Sequence, residues 1–448
     1  MIKRLYILLL ALCLFGQTML ADTLTIDSCL SLARQNNPSL RKAQLDILRA
    51  QEVKSQALTK YFPQVQGMAF GYHALQPIVD VGIDDIGNAS VRDLLTTLYG
   101  NYGAALGLDN SINLFQYGYS AGVTAIQPVF MGGKIVAGNQ LAKVGVEAAK
   151  LQAEIGERDV LEQVEQTYWL VYGLQQKQQL IDEALTLLDT LALTVSVAVE
   201  AGLALPSDSM QVALRRDEVL SRQIQLRSGL SLARQALSLS LGLPVSDTIV
   251  AVETQESDDP FSLASETASV SPEAQLLALQ VRANQLQRRM TLGDALPQLA
   301  VGANYSYSRF QTNVLRDQLG SPTGNGAVFV TMRVPLTAWW ETAHKLKEQD
   351  YAIQQAQLDA DYLGAQLDLR TQQAADQLVQ AQSLIVLQQS VLTHAEEAYR
   401  LLRLQYEAGM ATISDLLRQQ VQLTQAQSDL TDARLAYRLA LRRYNDLK

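Results

Sequence analysis

Two runs of the chain, near residues 133–201 and 338–408, carry neither a proline nor a cluster of turn-forming residues. Segments that long without punctuation read as helices. At about 1.5 Å per residue each would extend roughly 100 Å, longer than any ordinary compact domain. The 11 prolines and most glycines gather in a few places instead, so the 448 residues read as one long repetitive structure rather than as separate globular domains.

Those punctuated places repeat. Asn37-Pro38-Ser39-Leu40 opens a helical pattern that ends at Phe62-Pro63-Gln64-Val65. Ser271-Pro272-Glu273-Ala274 opens another that ends at Leu296-Pro297-Gln298-Leu299, and in both the two prolines are 25 residues apart. Further on, Gln127-Pro128-Val129-Phe130 corresponds to Val334-Pro335-Leu336-Thr337. Glu200-Ala201-Gly202 corresponds to Glu407-Ala408-Gly409, with 74 residues from Pro to Gly in each copy. The offset between copies is 234 at the first landmarks and 207 at the second, which puts 27 extra residues between Pro63 and Pro128.

Each copy therefore reads as half-helix, strand, strand, long helix, turn, half-helix. The half-helices are expected at about 28–60 and 207–241 in the first copy, and at 272–296 and 412–447 in the second. Leu, Ala and Gln dominate these stretches, a composition that suits helices packed on several faces in a coiled-coil sheath.

The strands carry the next constraint. Gln64–Tyr72, Gly118–Gln127, Gln298–Tyr307 and Ala327–Val334 alternate in character with a period of two. Segments of about 9 to 11 such residues suit outer-membrane strands. Four strands cannot close a barrel, and an open edge in lipid would strand unpaired backbone groups, so several chains must share one. About 8 strands would be filled by side chains, whereas about 12 leave a lumen, which makes a trimer the smallest assembly with a passage. Tyr61, Tyr72, Trp339 and Trp340 stand at strand ends, where an interfacial girdle would lie.

Met1 to Ala21 has basic Lys3 and Arg4, the apolar run Leu5 to Phe15 and a short stretch ending in Ala21. It reads as a secretory signal peptide. Removing Lys3 and Arg4 leaves 34 basic against 45 acidic residues, a charge of −11 compared with −9 for the whole chain. No basic run offers a face to phosphates, so nucleic acid is not an expected partner. With Cys13 removed, Cys29 is left as a single thiol, and stability must come from packing or assembly.

Catalytic signatures are missing. Met131-Gly132-Gly133-Lys134 lacks the spacing of a phosphate loop, His73, His344 and His394 form no HExxH motif, and no Gly-x-Ser-x-Gly elbow occurs. The chain is expected to be no enzyme and to hold no cofactor or metal. The acidic run Asp80–Asn88 in the enlarged loop fails the EF-hand spacing.

The doubled Asn-Pro or Ser-Pro helix starts, the Pro63 and Pro297 strand starts, Gln127–Gly133, Val334-Pro335-Leu336 and the two Glu-Ala-Gly tips, in this order, resemble the TolC-like outer-membrane efflux proteins over essentially the whole mature length. The resemblance implies an α+β membrane protein built from a duplicated unit. Four strands per chain would join a shared trimeric β-barrel above a long α-helical coiled-coil periplasmic tunnel. The expected parts are a signal peptide at 1–21, a first repeat at 22–241, an equatorial linker at 242–271 and a second repeat at 272–448.

It further implies a passive exit duct for tripartite efflux or type I secretion, in the outer membrane lipid and reaching into the periplasm. Its partners would be a periplasmic adaptor and an inner-membrane pump. The alternative is a non-conducting periplasmic scaffold or adaptor of helical hairpins, which would have no use for membrane-length strands.

The tips are where the resemblance places a gate, at Gly202, Asp208, Tyr406, Gly409 and Asp415. Gly202 and Gly409 end the long helices, and Ser207 and Ser414 are expected to cap the returning ones. In the family a tip Asp bonds a Tyr and an Arg of the neighbouring coil. Asp208 and Tyr406 match the first two, but Ala411 stands at the Arg position. Arg418 is either a substitute or half of a solvated helix pair with Asp415.

Overall fold

The computed structural model describes residues 23–76, 78–106, 111–252, 271–312 and 322–447. The signal segment 1–21 and the acidic part of the linker, with Glu253, Glu256, Asp258 and Asp259, lie outside these residues. In chain order the elements are β1 (Thr23–Leu24), α1 (Ile26–Asn36), α2 (Pro38–Thr59), β2 (Gln64–His73), β3 (Val79–Gly82), α3 (Ala89–Leu106), β4 (Ser111–Met131), α4 (Lys134–Glu200) and α5 (Pro206–Ser240). They continue with β5 (Val250–Ala251), α6 (Pro272–Asp294), β6 (Gln298–Thr312), β7 (Thr323–Arg333), α7 (Trp339–Glu407) and α8 (Ile413–Asp446). The two long helices have 67 and 69 residues, so the proline-free runs are helices throughout.

The chain divides into two compact units. Unit 1 comprises Met1–Arg49, Glu147–Leu279 and Gln357–Lys448. Its larger core sets Cys29 and Ala33 of α1 against Val164, Tyr168 and Val171 of α4, Leu237 of α5, and Ile249 and Ala251. Strands β1 and β5 pair in parallel beside it. The Tyr168 hydroxyl ties them down, reaching Leu24 O at 3.0 Å and Val252 O at 2.6 Å.

The half-helix expected over 28–60 is broken at Asn37. Proline disfavours a helical conformation in the residue before it, and Asn37 takes an extended one, φ −60° and ψ 125°. Its side chain repairs the break on both sides: Oδ1 accepts from Ser39 N at 2.8 Å and Nδ2 donates to Ser240 O at 2.7 Å. The end of α5 thus abuts the break, closely enough that a Cβ at Gly242 would lie 2.4 Å from Asn36 O.

Unit 2 comprises Ala50–Val146 and Gln280–Ala356. Its sheet has the order β2-β4-β6-β7, every neighbouring pair antiparallel, with β3 also on β4. All four expected strands are present, but β4 has 21 residues where ten were expected. The added length lies on both sides, residues 111–117 before the expected start and Pro128–Met131 after its end; at the first end β3 supplies a partner by pairing Val79–Gly82 with Ser111–Leu114. Pro128, which has no N–H to donate, sits where the β4–β6 register shifts between Pro128 and Phe130, the place a proline is tolerated inside a sheet. The Gln127 amide bonds Tyr61 O at 3.0 Å across the start of β2.

Register separates two faces. One carries Val65, Ala69, Tyr119, Val123, Ala125, Val301, Ala303, Tyr305, Tyr307, Val328 and Val330; the other, more polar, carries Gln64, Gln66, Ser120, Thr124, Asn304, Ser306, Ser308, Asn325 and Thr331 together with Met68, Phe70, Ile126 and Phe329. Along β6 the apolar-face residues from Val301 to Arg309 are exposed, while Gly302, Asn304, Ser306 and Ser308 are buried or half-buried. Tyr117, Tyr119, Tyr305 and Tyr307 cluster at one end of the apolar face. Tyr72 is not among them: it stands on the polar face beside Phe310, with ring centroids 6.4 Å apart, so register removes it from any girdle.

Candidate gate at the helix tips

Both long helices end in the same way. Gly202 and Gly409 adopt positive φ, 73° and 72°, a conformation that disfavours a side chain. The turn then folds back onto the helix: Leu203 N donates to Ala198 O at 2.8 Å, and Met410 N to Gln405 O at 2.8 Å. These bonds satisfy carbonyls that the helix end would otherwise leave unpaired.

The returning helices start differently from expectation. Ser207 and Ser414 lie inside the first turns of α5 and α8 and cap neither. Leu205 is the N-cap of α5; Pro206 follows at a position where no N–H is needed, and the Asp208 carboxylate accepts from Leu205 N at 3.1 Å. For α8 the cap is Thr412, which accepts from Asp415 N at 3.2 Å while its hydroxyl donates to Asp415 Oδ2 at 2.6 Å. Thr412-x-x-Asp415 is a capping pattern legible in the sequence. That hydroxyl bond is the main reason the Asp415 carboxyl is held below its usual range.

Beneath the tips Leu188, Val195, Val212, Val219, Ile413 and Leu416 form a core joining α4, α5 and α8, with Tyr399 and Tyr406 of α7 packed against it. Tyr406 is half-buried, and Asp208 acts on it through its field. Burial first, and the Asp208 charge second, push the Tyr406 hydroxyl up. Among the described residues no hydrogen bond joins the two; the Asp208 carboxylate accepts from Leu205 N.

The nearby cations have local partners. Arg418 lies 3.6 Å from Asp415, exposed, as a helix pair. Arg403 bonds Glu407 at 2.9 Å, Arg400 bonds Glu397 at 2.6 Å, and Arg216 bonds Asp189 at 2.6 Å. The structure thus brings Asp208 and Tyr406 together, and it keeps Asp415 with Thr412 and Arg418. It also adds a feature that the spacing did not single out: Leu203, Leu205 and Met410 stand at 84%, 66% and 76% exposure at the tips.

Among the described residues no cluster of His, Cys, Asp and Glu could hold a metal, and no helix is long and apolar enough to cross a membrane. Membrane-length structure resides in the sheet.

The chain is similar in fold to the outer membrane channel CmeC of Campylobacter jejuni, with a TM-score of 0.73, 13% identity and coverage of 94% of this chain and 85% of that one. The outer membrane protein VceC of Vibrio cholerae gives 0.71, 16%, 94% and 95%. The open state of the MtrE outer membrane channel of Neisseria gonorrhoeae gives 0.66, 15%, 94% and 88%. No curated protein sequence matches the chain. A family model described as outer membrane efflux protein matches residues 29–243 and 263–444, most of both copies of the duplicated unit. By that match, the chain belongs to the outer membrane efflux protein family.

Proposed function

We propose that three copies of this chain close their sheets into one barrel and form the passive exit duct of a tripartite efflux or type I secretion system. The observation that carries this reading is the sheet. Among the described residues strands β2 and β7 are each paired on one side only, the four main strands alternate in direction, and one face is apolar. Because β2 and β7 run in opposite senses, β7 of one copy can pair with β2 of the next in the same antiparallel pattern. No backbone group is then left open to lipid. The apolar face meets lipid, and the opposite face lines a lumen that about 12 strands are wide enough to leave.

Residues 1–21 serve as a signal peptide in this reading, with repeats at 22–241 and 272–448 joined by a belt at 242–271. Energy is supplied by an inner-membrane pump through a periplasmic adaptor. The exposed Leu203, Leu205 and Met410 offer that adaptor an apolar contact at the tips. Asp208 and Tyr406 act as the gate, with Gly202 and Gly409 setting the turns and Asp415 holding α8. With Ala411 in place of a cation, Asp208 has no guanidinium at that position to form an ion pair across the tips, and the gate is held more weakly than one with such a pair.

Single-channel conductance in planar bilayers tests this. Wild type is expected to show small discrete openings that grow in an Asp208→Ala, Tyr406→Phe double variant. Unchanged openings would remove the gate and keep the duct, and a silent protein would sink both.

A further inference from the structure

The sheet differs in charge from the rest of the molecule. The whole chain carries a net charge of −9, yet β2, β4, β6 and β7 contain no Asp and no Glu. Their charged residues at neutral pH are Arg309 and Arg333. The segments joining these strands to the helices, 60–63, 132–133, 295–297 and 334–338, add Lys60 and no carboxylate. At the adjoining helix ends Asp294 is paired with Lys134 and Glu341 with Lys345.

Register separates the two arginines. Arg309 pairs with Tyr119 and belongs to the apolar face. Arg333 alternates along β7 with Val328, Val330 and Met332 of that face, so it lies on the opposite one with Asn325 and Thr331. It is the last residue of β7, at the end of the sheet that adjoins the helices, and pairs there with Gln298. Gln64 and Gln66 open β2 at the same end and on the same face. The Arg333 side chain is exposed and has no ion pair among the described residues. A guanidinium keeps its charge at any physiological pH.

We infer that Arg333 makes the inner mouth of the barrel prefer anions, so that the cargo favoured by this duct carries carboxylate or phosphate groups. The inference rests on the barrel reading above. In a threefold assembly each copy brings one guanidinium to the face that lines the lumen, and rings of cationic side chains select anions in pores. The four strands offer no carboxylate to neutralise that ring, and the guanidinium fork matches carboxylate and phosphate oxygens.

The test is the reversal potential of single channels in planar bilayers, with potassium chloride at about 0.1 M on one side and about 0.01 M on the other, where charges act over about 10–30 Å before salt screens them. Arg333→Gln removes the charge, Arg333→Glu inverts it and Arg333→Lys keeps it, while Arg309→Gln removes the arginine of the apolar face. The ratio of chloride to potassium permeability is expected to fall roughly twofold from wild type to Arg333→Gln, and again to Arg333→Glu. Arg333→Lys and Arg309→Gln are expected to keep the wild-type ratio, which separates charge in the lumen from any change in packing. Potassium glutamate, whose anion bears carboxylates, is expected to give the same order. Equal ratios in wild type, Arg333→Gln and Arg333→Glu, or an equal shift from Arg309→Gln, would overturn the inference and leave the duct standing. A silent wild type would remove the duct and the inference together.

Discussion

At Gly202, φ is 73° and the space around a substituted Cβ is open, whereas at Gly242, with the same φ, that Cβ would meet Asn36 O at 2.4 Å. The two glycines predict two different losses. Gly202→Ala pays only the left-handed backbone strain, about 1 kcal/mol. Gly242→Ala must also displace the junction between α1 and α5, and its urea midpoint is expected to fall clearly further. Cys29, with 0% exposure, follows the same residue-scale logic. Burial pushes its thiol up to about 12, so the nucleophilic thiolate is scarce at neutral pH. A thiol reagent at pH 8 is expected to leave Cys29 unmodified in the folded protein and to label it in urea. Rapid labelling of the native protein would contradict the core described here.

At the scale of elements, the sheet makes a directional prediction. Val328 stands on the apolar face and Ser306 on the polar one. Val328→Arg is expected to cost about 2–4 kcal/mol as a lipid-facing charge near the midplane, seen as a loss of folded assembly on unheated gels. Ser306→Arg is expected to assemble and to alter ion selectivity instead. Equal loss in both variants would mean that the faces are assigned wrongly.

The helices predict a pH dependence. Burial alone would raise Glu273, on the first turn of α6, but its hydrogen bond and charge pairing with Arg158 of α4 outweigh that and hold it below its ordinary value. A depressed carboxylate stabilises the fold above its unfolded pKa of about 4.3 and stops doing so as pH falls through its folded pKa. Thermal melts between pH 7 and 3 are expected to fall less steeply in Glu273→Gln than in wild type. Parallel curves would remove this pair from the acid response.

For the whole molecule, the sides of β2 and β7 left unpaired among the described residues are the decisive fact. An edge of that length cannot face lipid, so the isolated chain is an incomplete membrane protein. Native mass spectrometry from detergent is expected to give three copies. A monomer that remains in detergent with intact strands would contradict closure by neighbouring copies.

Much of this was legible in the residues. The proline-free runs fix α4 and α7, because nothing in them can stop a helix; the alternating runs fix four strands; and the doubled landmarks fix the order of elements. The tip turns were legible too, since a Gly after a long helix has few other uses. Pattern alone misplaced what depends on a distant partner. The break at Asn37 is held by Ser240, more than two hundred residues on. The first four residues of β4, Ser111–Leu114, are strand because β3 lies beside them, and Tyr72 falls on the polar face because register, not its position at a strand end, decides its side. The caps at Asp208 and Thr412 were written locally, yet the nearness of Asp208 to Tyr406 was not. Local physics, the backbone's need for punctuation and the two-residue or 3.6-residue periods, is carried by the sequence itself. Which groups meet across the fold depends on packing between segments far apart in the chain, and only the tertiary structure decided it.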